Sequence, residues 1–134
     1  MYREHNTDNN KNQLAIFFGC MFGGLDGYIE LRPKVEGVQK IAYRKFYSTL
    51  GKFLHALPHQ IDYCRRKRLS CQYGMMPRDE AGNGKKENIT TGQCVWAEYD
   101  AKDFISWQAM EKSVSDLKIA PSAIIQSGGG LHCY

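Results

Sequence analysis

Ser127, Gly128, Gly129 and Gly130 stand between two short strand-like segments, residues 123–126 and 131–134, and no other stretch of the chain gives the backbone as much freedom. Three consecutive glycines admit positive φ and let another backbone come near. Upstream, Trp107, Met110, Val114 and Leu117 form one stripe, which predicts a helix over residues 106–118 with Pro121 at its exit. Before that helix, residues 93–100 read as a strand. Strand, helix and strand make a β-α-β unit with a helical crossover. Such a unit is the seed of an α+β or split β-α-β sheet.

Earlier in the chain, residues 14–22 are apolar and aromatic, and residues 27–32 alternate. The link at residues 23–27 has turn chemistry, so the expectation is strand, turn, strand. Val38, Ile41, Ala42, Phe46, Thr49, Leu50, Phe53, Leu54 and Leu57 recur at helical spacing, which predicts a helix ending before Pro58. Residues 61–67 add a short helix. The basic cluster Arg65, Arg66, Lys67 and Arg68 then gives way to a strand over residues 69–76. Residues 78–92 form a polar loop carrying Lys85 and Lys86.

At 134 residues the chain suits one domain with a real core. We expect a flexible leader at residues 1–13 and a single α+β domain over residues 14–134. No apolar run approaches the roughly 18 residues of a membrane span. The polar start reads as neither a signal peptide nor a transit helix, so a cytoplasmic protein without a membrane partner is expected. The net charge of +4 permits a polyanionic partner without demanding one. Five cysteines, none in a C-x-x-C pair, read as reduced thiols. A zinc site on Cys64 and Cys71 fits no common ligand spacing.

Three groups carry possible chemistry. Glu98 and Asp100, spaced i, i+2 on a strand, point to one side together with Trp96. Two carboxylates there suit a hard divalent cation, and at a buried strand end their mutual repulsion would call for one. The bland alternative is an edge strand with solvated acids. The glycine run beside His132 can gather amide hydrogens and an imidazole on phosphate; the alternative is a hairpin turn with an incidental histidine. Arg78, Lys85, Lys86 and the 65–68 cluster can track a nucleic-acid backbone, or form a solvated surface.

Together these segments resemble the amino-terminal catalytic part of a primase-polymerase of the archaeo-eukaryotic primase superfamily, in its phage, plasmid and mobile-element branch. The matching pieces are Gly27-Tyr28-Ile29-Glu30-Leu31-Arg32-Pro33, Tyr73-Gly74-Met75-Met76-Pro77-Arg78, and the loop Gly84-Lys85-Lys86-Glu87-Asn88-Ile89. Trp96-Ala97-Glu98-Tyr99-Asp100-Ala101-Lys102 and Ser127-Gly128-Gly129-Gly130-Leu131-His132-Cys133-Tyr134 complete the set. The resemblance implies an N-terminal α/β module followed by the first β-α-β part of an RRM-like catalytic core. It implies Glu98 and Asp100 as ligands of Mg2+ or Mn2+, and His132 with Ser127, Gly128, Gly129 and Gly130 on the phosphates of a nucleoside triphosphate. Arg78, Lys85 and Lys86 would guide the DNA template or the nucleotide.

Two departures accompany it. Glu98 stands where the family usually has Asp, which moves the charge outward by one methylene. The family's third metal-binding acid would lie beyond Tyr134, so the domain reads as truncated at its C-terminus. The implied activity is template-directed nucleotidyl transfer in the replication of a phage or mobile element, with a helicase domain commonly following. The competing expectation is a catalytically incomplete module that binds nucleotide or nucleic acid. A relaxase-like initiator would want a His-x-His pair, which this chain lacks.

Overall fold

The computed structural model describes residues 7–38, 40–82 and 84–134. It is α+β, with helices and small antiparallel sheets in two compact units, Met1–Gln93 and Cys94–Tyr134.

The first unit opens with helix α1, Thr7–Phe22. Residues 14–22 are therefore helical and not the strand expected above, and residues 7–13 belong to the same helix. The first six residues of that expected leader lie outside the described residues. Leu14, Phe17, Phe18, Met21 and Phe22 recur at three- and four-residue steps, and the last two with Phe18 are buried. The intervening Ala15 and Ile16 hide this period in the sequence, and Ile16 is left exposed. A continuous apolar run does not distinguish strand from helix by period alone. Phe18 packs edge-on to Phe53 at 4.9 Å and to Tyr73 at 4.9 Å, and that packing selects the helix.

Strand β1, Ile29–Leu31, follows a turn and pairs antiparallel with β3, Lys45–Tyr47, so that Ile29 faces Tyr47 and Glu30 faces Phe46. Strand β2, Lys34–Val35, pairs antiparallel with β4, Leu69–Ser70. Gly27 holds φ at +114°, and a Cβ there would come within 2.6 Å of the Arg78 carbonyl. Glycine at that position therefore admits the close pairing of Tyr28 with Arg78, whose backbones exchange hydrogen bonds of 2.7 and 2.8 Å.

Helix α2 spans Leu50–Arg66. The helix expected over residues 38–57 thus starts a dozen residues late, because residues 45–47 are taken by the ladder with β1. Thr49 caps the start, its Oγ1 accepting from the Lys52 amide at 3.2 Å. The expected stop before Pro58 is also overturned: α2 runs through it and absorbs the short helix expected at residues 61–67. Proline removes one helical hydrogen bond, at a cost of about 3 kcal/mol. Phe53, Leu57, Gln60 and Cys64 bury one face on both sides of it, while Pro58 itself is exposed, and this burial keeps the helix continuous. The strand expected over residues 69–76 shrinks to β4. Beyond it the chain runs beside β1 by single contacts, Arg32 N to the Gln72 carbonyl and Gly74 N to the Glu30 carbonyl.

The second unit is a three-stranded sheet covered on one face by a helix. Its strands are β5, Ala97–Asp100, β6, Ile124–Gln126, and β7, Gly130–Cys133, in the order β5-β7-β6 with β7 antiparallel to both. β5 and β6 are therefore parallel, joined by helix α3, Trp107–Ser115, with β7 inserted between them. This is the split β-α-β arrangement. The final segment is the central strand of its sheet. Ser106 caps α3, its Oγ accepting from the Ala109 amide at 3.1 Å. Met110 and Val114 pack against Leu131 and Cys133, with Tyr99, Ala101, Phe104 and Trp107 around them. An open cleft of about 630 Å³, with Val114, Ile124 and Leu131 beside Glu111, Ser115 and Gln126, lies between α3 and β6.

Candidate functional site

The sheet of the second unit sorts its side chains by alternation. Leu131, Cys133 and Tyr99 belong to the core under α3, so the residues between them belong to the opposite face. The register sets Glu98 directly across from His132, and Asp100 across from Gly130. On the other side of β7, Ile125 is the partner of His132. Two carboxylates and one imidazole, 32 and 34 residues apart in sequence, thus share a sheet face that α3 does not cover. Directly opposed residues of an antiparallel pair lie about 5 Å apart, close enough for their side chains to act on one ligand.

Ser127, Gly128 and Gly129 form the turn from β6 into β7. The Ser127 amide donates to the Gly130 carbonyl at 3.0 Å, and Gly128 has φ of +90°. The glycine run is therefore a hairpin turn, and it is tied to the carboxylates. The Ala101 amide donates to the Gly129 carbonyl at 2.9 Å, immediately after Asp100. Gly130 is fixed by space: a Cβ on it would run into the Tyr99 carbonyl across the ladder. The glycine run and the acids singled out from sequence are neighbours for this reason.

The acids are exposed, and the expected buried strand end is not found. Water and Lys102, whose Nζ lies 3.1 Å from Asp100 Oδ2, screen their repulsion. That carboxylate, with Asp103 as a second anion, holds the Lys102 ammonium above its ordinary range. No group of three or more His, Cys, Asp or Glu side chains among the described residues is gathered to hold a metal ion. Two carboxylates are nevertheless a fitting set for Mg2+, which commonly takes one or two protein carboxylates and completes its shell with water and substrate phosphate.

Arg78, Lys85 and Lys86 belong to the first unit. Arg78 is buried, and its side chain is committed: Nη2 lies 3.1 Å and Nε 3.2 Å from Glu30 Oε2, while Nη1 donates to the Lys85 carbonyl at 3.3 Å. Glu30, fully buried, also accepts from Arg44 Nη1. Gly84 lies against this pair, and a Cβ there would strike the Arg44 guanidinium. Arg78 therefore holds the backbone of the basic loop, and Lys85 and Lys86 present its exposed ammonium groups. Sequence reasoning missed Glu30 and Arg44 as members of this network. The available signal was an acid between two core residues, Ile29 and Leu31, since a buried carboxylate requires charged partners.

Comparison with family models, with curated proteins and with solved structures returns no match to this chain.

Proposed function

We propose that the chain carries part of a template-directed nucleotidyl-transfer site, that of a DNA primase-polymerase serving the replication of a phage or mobile element. The observation that carries this reading is the shared face of β5 and β7, where Glu98 meets His132 and Asp100 meets the glycine turn. In this reading Glu98 and Asp100 would hold Mg2+ or Mn2+, and the ion when bound would lower the pKa of an attacking hydroxyl and offset triphosphate charge. His132 would donate to a phosphate oxygen of the nucleoside triphosphate. Ser127, Gly128, Gly129 and Gly130 would bring backbone amides to the same phosphates. Lys85 and Lys86, on the loop that Arg78 braces, would contact the phosphates of the DNA template.

One observation favours the second reading, a module that binds nucleotide or nucleic acid without turnover. Asp100 is already paired with Lys102, and no third acidic ligand is gathered beside it among the described residues. Two-metal phosphoryl transfer needs anionic ligands around both ions.

Titration of a nucleoside triphosphate with and without Mn2+ tests the reading. We expect Mn2+ to tighten binding at least tenfold, and the double variant Glu98→Ala, Asp100→Ala to remove that gain. His132→Ala should weaken binding with Mn2+ present by about tenfold, the loss of one charge-assisted hydrogen bond. Binding that ignores Mn2+ and survives the double variant favours the module. Absence of nucleotide binding in the wild-type chain defeats both readings at this face.

A further inference from the structure

The first unit holds 15 of the 18 Lys and Arg residues against 9 of the 14 acids, while the second holds 3 against 5. The positive charge is thus concentrated before residue 94, and part of it lies near a pair of aromatic rings. Tyr63 lies on the exposed side of α2 with 36% of its surface open. Its ring meets that of Tyr43 edge-on, centroids 5.9 Å apart and planes at 73°. Lys45 Nζ sits 5.9 Å from the centroid of the Tyr43 ring. Arg66 and Lys67 follow Tyr63 by three and four residues at the end of α2, which sets them beside it on the same side of the helix. Arg65 and Arg68 extend the cluster, and all four basic side chains are exposed.

The Tyr43 ring is held in place from inside. Tyr43 Oη donates to Gln60 Oε1 at 2.9 Å and lies 3.7 Å from Cys64 Sγ, and both partners are buried residues of α2. The Tyr43 ring is pinned by its hydroxyl, and the exposed Tyr63 ring rests on it edge-on. Asp62 lies 3.8 Å from Arg65 and 3.9 Å from Arg66. Exposed pairs at such distances hold little energy and yield readily to a polyanion.

We propose that the surface made by Tyr43, Lys45, Tyr63, Arg66 and Lys67 binds single-stranded nucleic acid, with a base stacked on Tyr63 and the flanking phosphates held by the cations. Base stacking on an aromatic ring beside a basic track is the general means of binding a strand without reading its sequence. Basic residues at a helix C-terminus also complement the helix dipole, which accounts for Arg65 and Arg66 alone. It does not account for the exposed tyrosine or for Lys45, which comes from β3. An anionic membrane is the other large polyanion, and it would need an apolar helix face to insert. The apolar side of α2, with Phe53, Leu57 and Cys64, is already buried within the unit. The surface uses none of Glu98, Asp100 and His132 and is independent of the reading proposed for them.

Fluorescence anisotropy of a labelled single-stranded oligopyrimidine, titrated with the full chain in EDTA, tests the proposal without engaging any metal-dependent site. The wild-type chain should bind, and more weakly as salt rises. Tyr63→Ala should weaken binding about tenfold and Tyr63→Phe should leave it unchanged. Arg66→Gln with Lys67→Gln, on the exposed surface, should flatten the plot of log K against log salt by about 1.4, two phosphates at about 0.7 each. If circular dichroism shows that Tyr63→Ala disturbs the fold, Tyr63→Leu fills the space without a π face and should show the same tenfold loss. The proposal is overturned if the wild-type chain does not bind the oligonucleotide at low salt. It is equally overturned if the Tyr63 and Arg66/Lys67 variants bind as the wild type does. Binding to phosphatidylserine vesicles that the oligonucleotide does not displace, lost in the same variants, would assign the surface to a membrane instead.

Discussion

Single residues carry much of what holds both units together. Glu30 pairs with two arginines at a fully buried position, and its removal would leave the Arg78 charge inside the unit without a counter-ion. Glu30→Ala should therefore cost about 3–5 kcal/mol, measured as a lower urea midpoint, and should loosen the Lys85 backbone that Arg78 holds. Gly130→Ala forces a methyl group into the Tyr99 carbonyl and should cost about 1–3 kcal/mol while spacing Glu98 from His132. Cys71 gives a signature in alkali. Burial, then the neighbouring Cys64 thiol, pushes its pKa from 9.0 up to about 12. The unfolded chain releases that proton first as pH rises. Stability held by the neutral thiol is intact below about pH 9 and is lost between there and about pH 12. Urea midpoints should fall across that window, and Cys71→Ala should flatten the fall.

At the level of elements, legibility followed the local signal. α3 is visible because Ser106 caps it and its apolar stripe is clean, while the strand expected over residues 93–100 shortens to β5, its second half. α1 was misread as a strand because apolar residues also fill the positions between its buried ones, and only packing on Phe53 and Tyr73 separates the two kinds. α2 was misread at both ends. Val38, Ile41, Ala42 and Phe46 repeat at helical steps, yet pairing with β1 claims Phe46 for a strand. Pro58 looks like a stop in sequence, and burial on both sides of it overrides that preference. Pro58→Ala restores one backbone hydrogen bond in an exposed turn of α2. It should stabilise the chain by about 1–3 kcal/mol in thermal or urea unfolding.

The whole molecule divides its charge as it divides its chain, a basic unit and a mildly acidic one. The two proposed sites differ accordingly. Removing divalent metal with EDTA should abolish the Mn2+-dependent gain in nucleotide affinity and leave oligonucleotide affinity unchanged, as two anisotropy titrations would show. No described helix is long and apolar enough to cross a membrane. The amino-acid order alone determined the i, i+2 carboxylates, the glycine turn, the helix between them and the net charge, because these are local patterns of spacing and composition. Only the tertiary structure decided that β7 slots between β5 and β6, so that Glu98 faces His132, and that Arg78 is spent on Glu30. Register and burial depend on residues tens of positions apart, and no local pattern records which of them will meet.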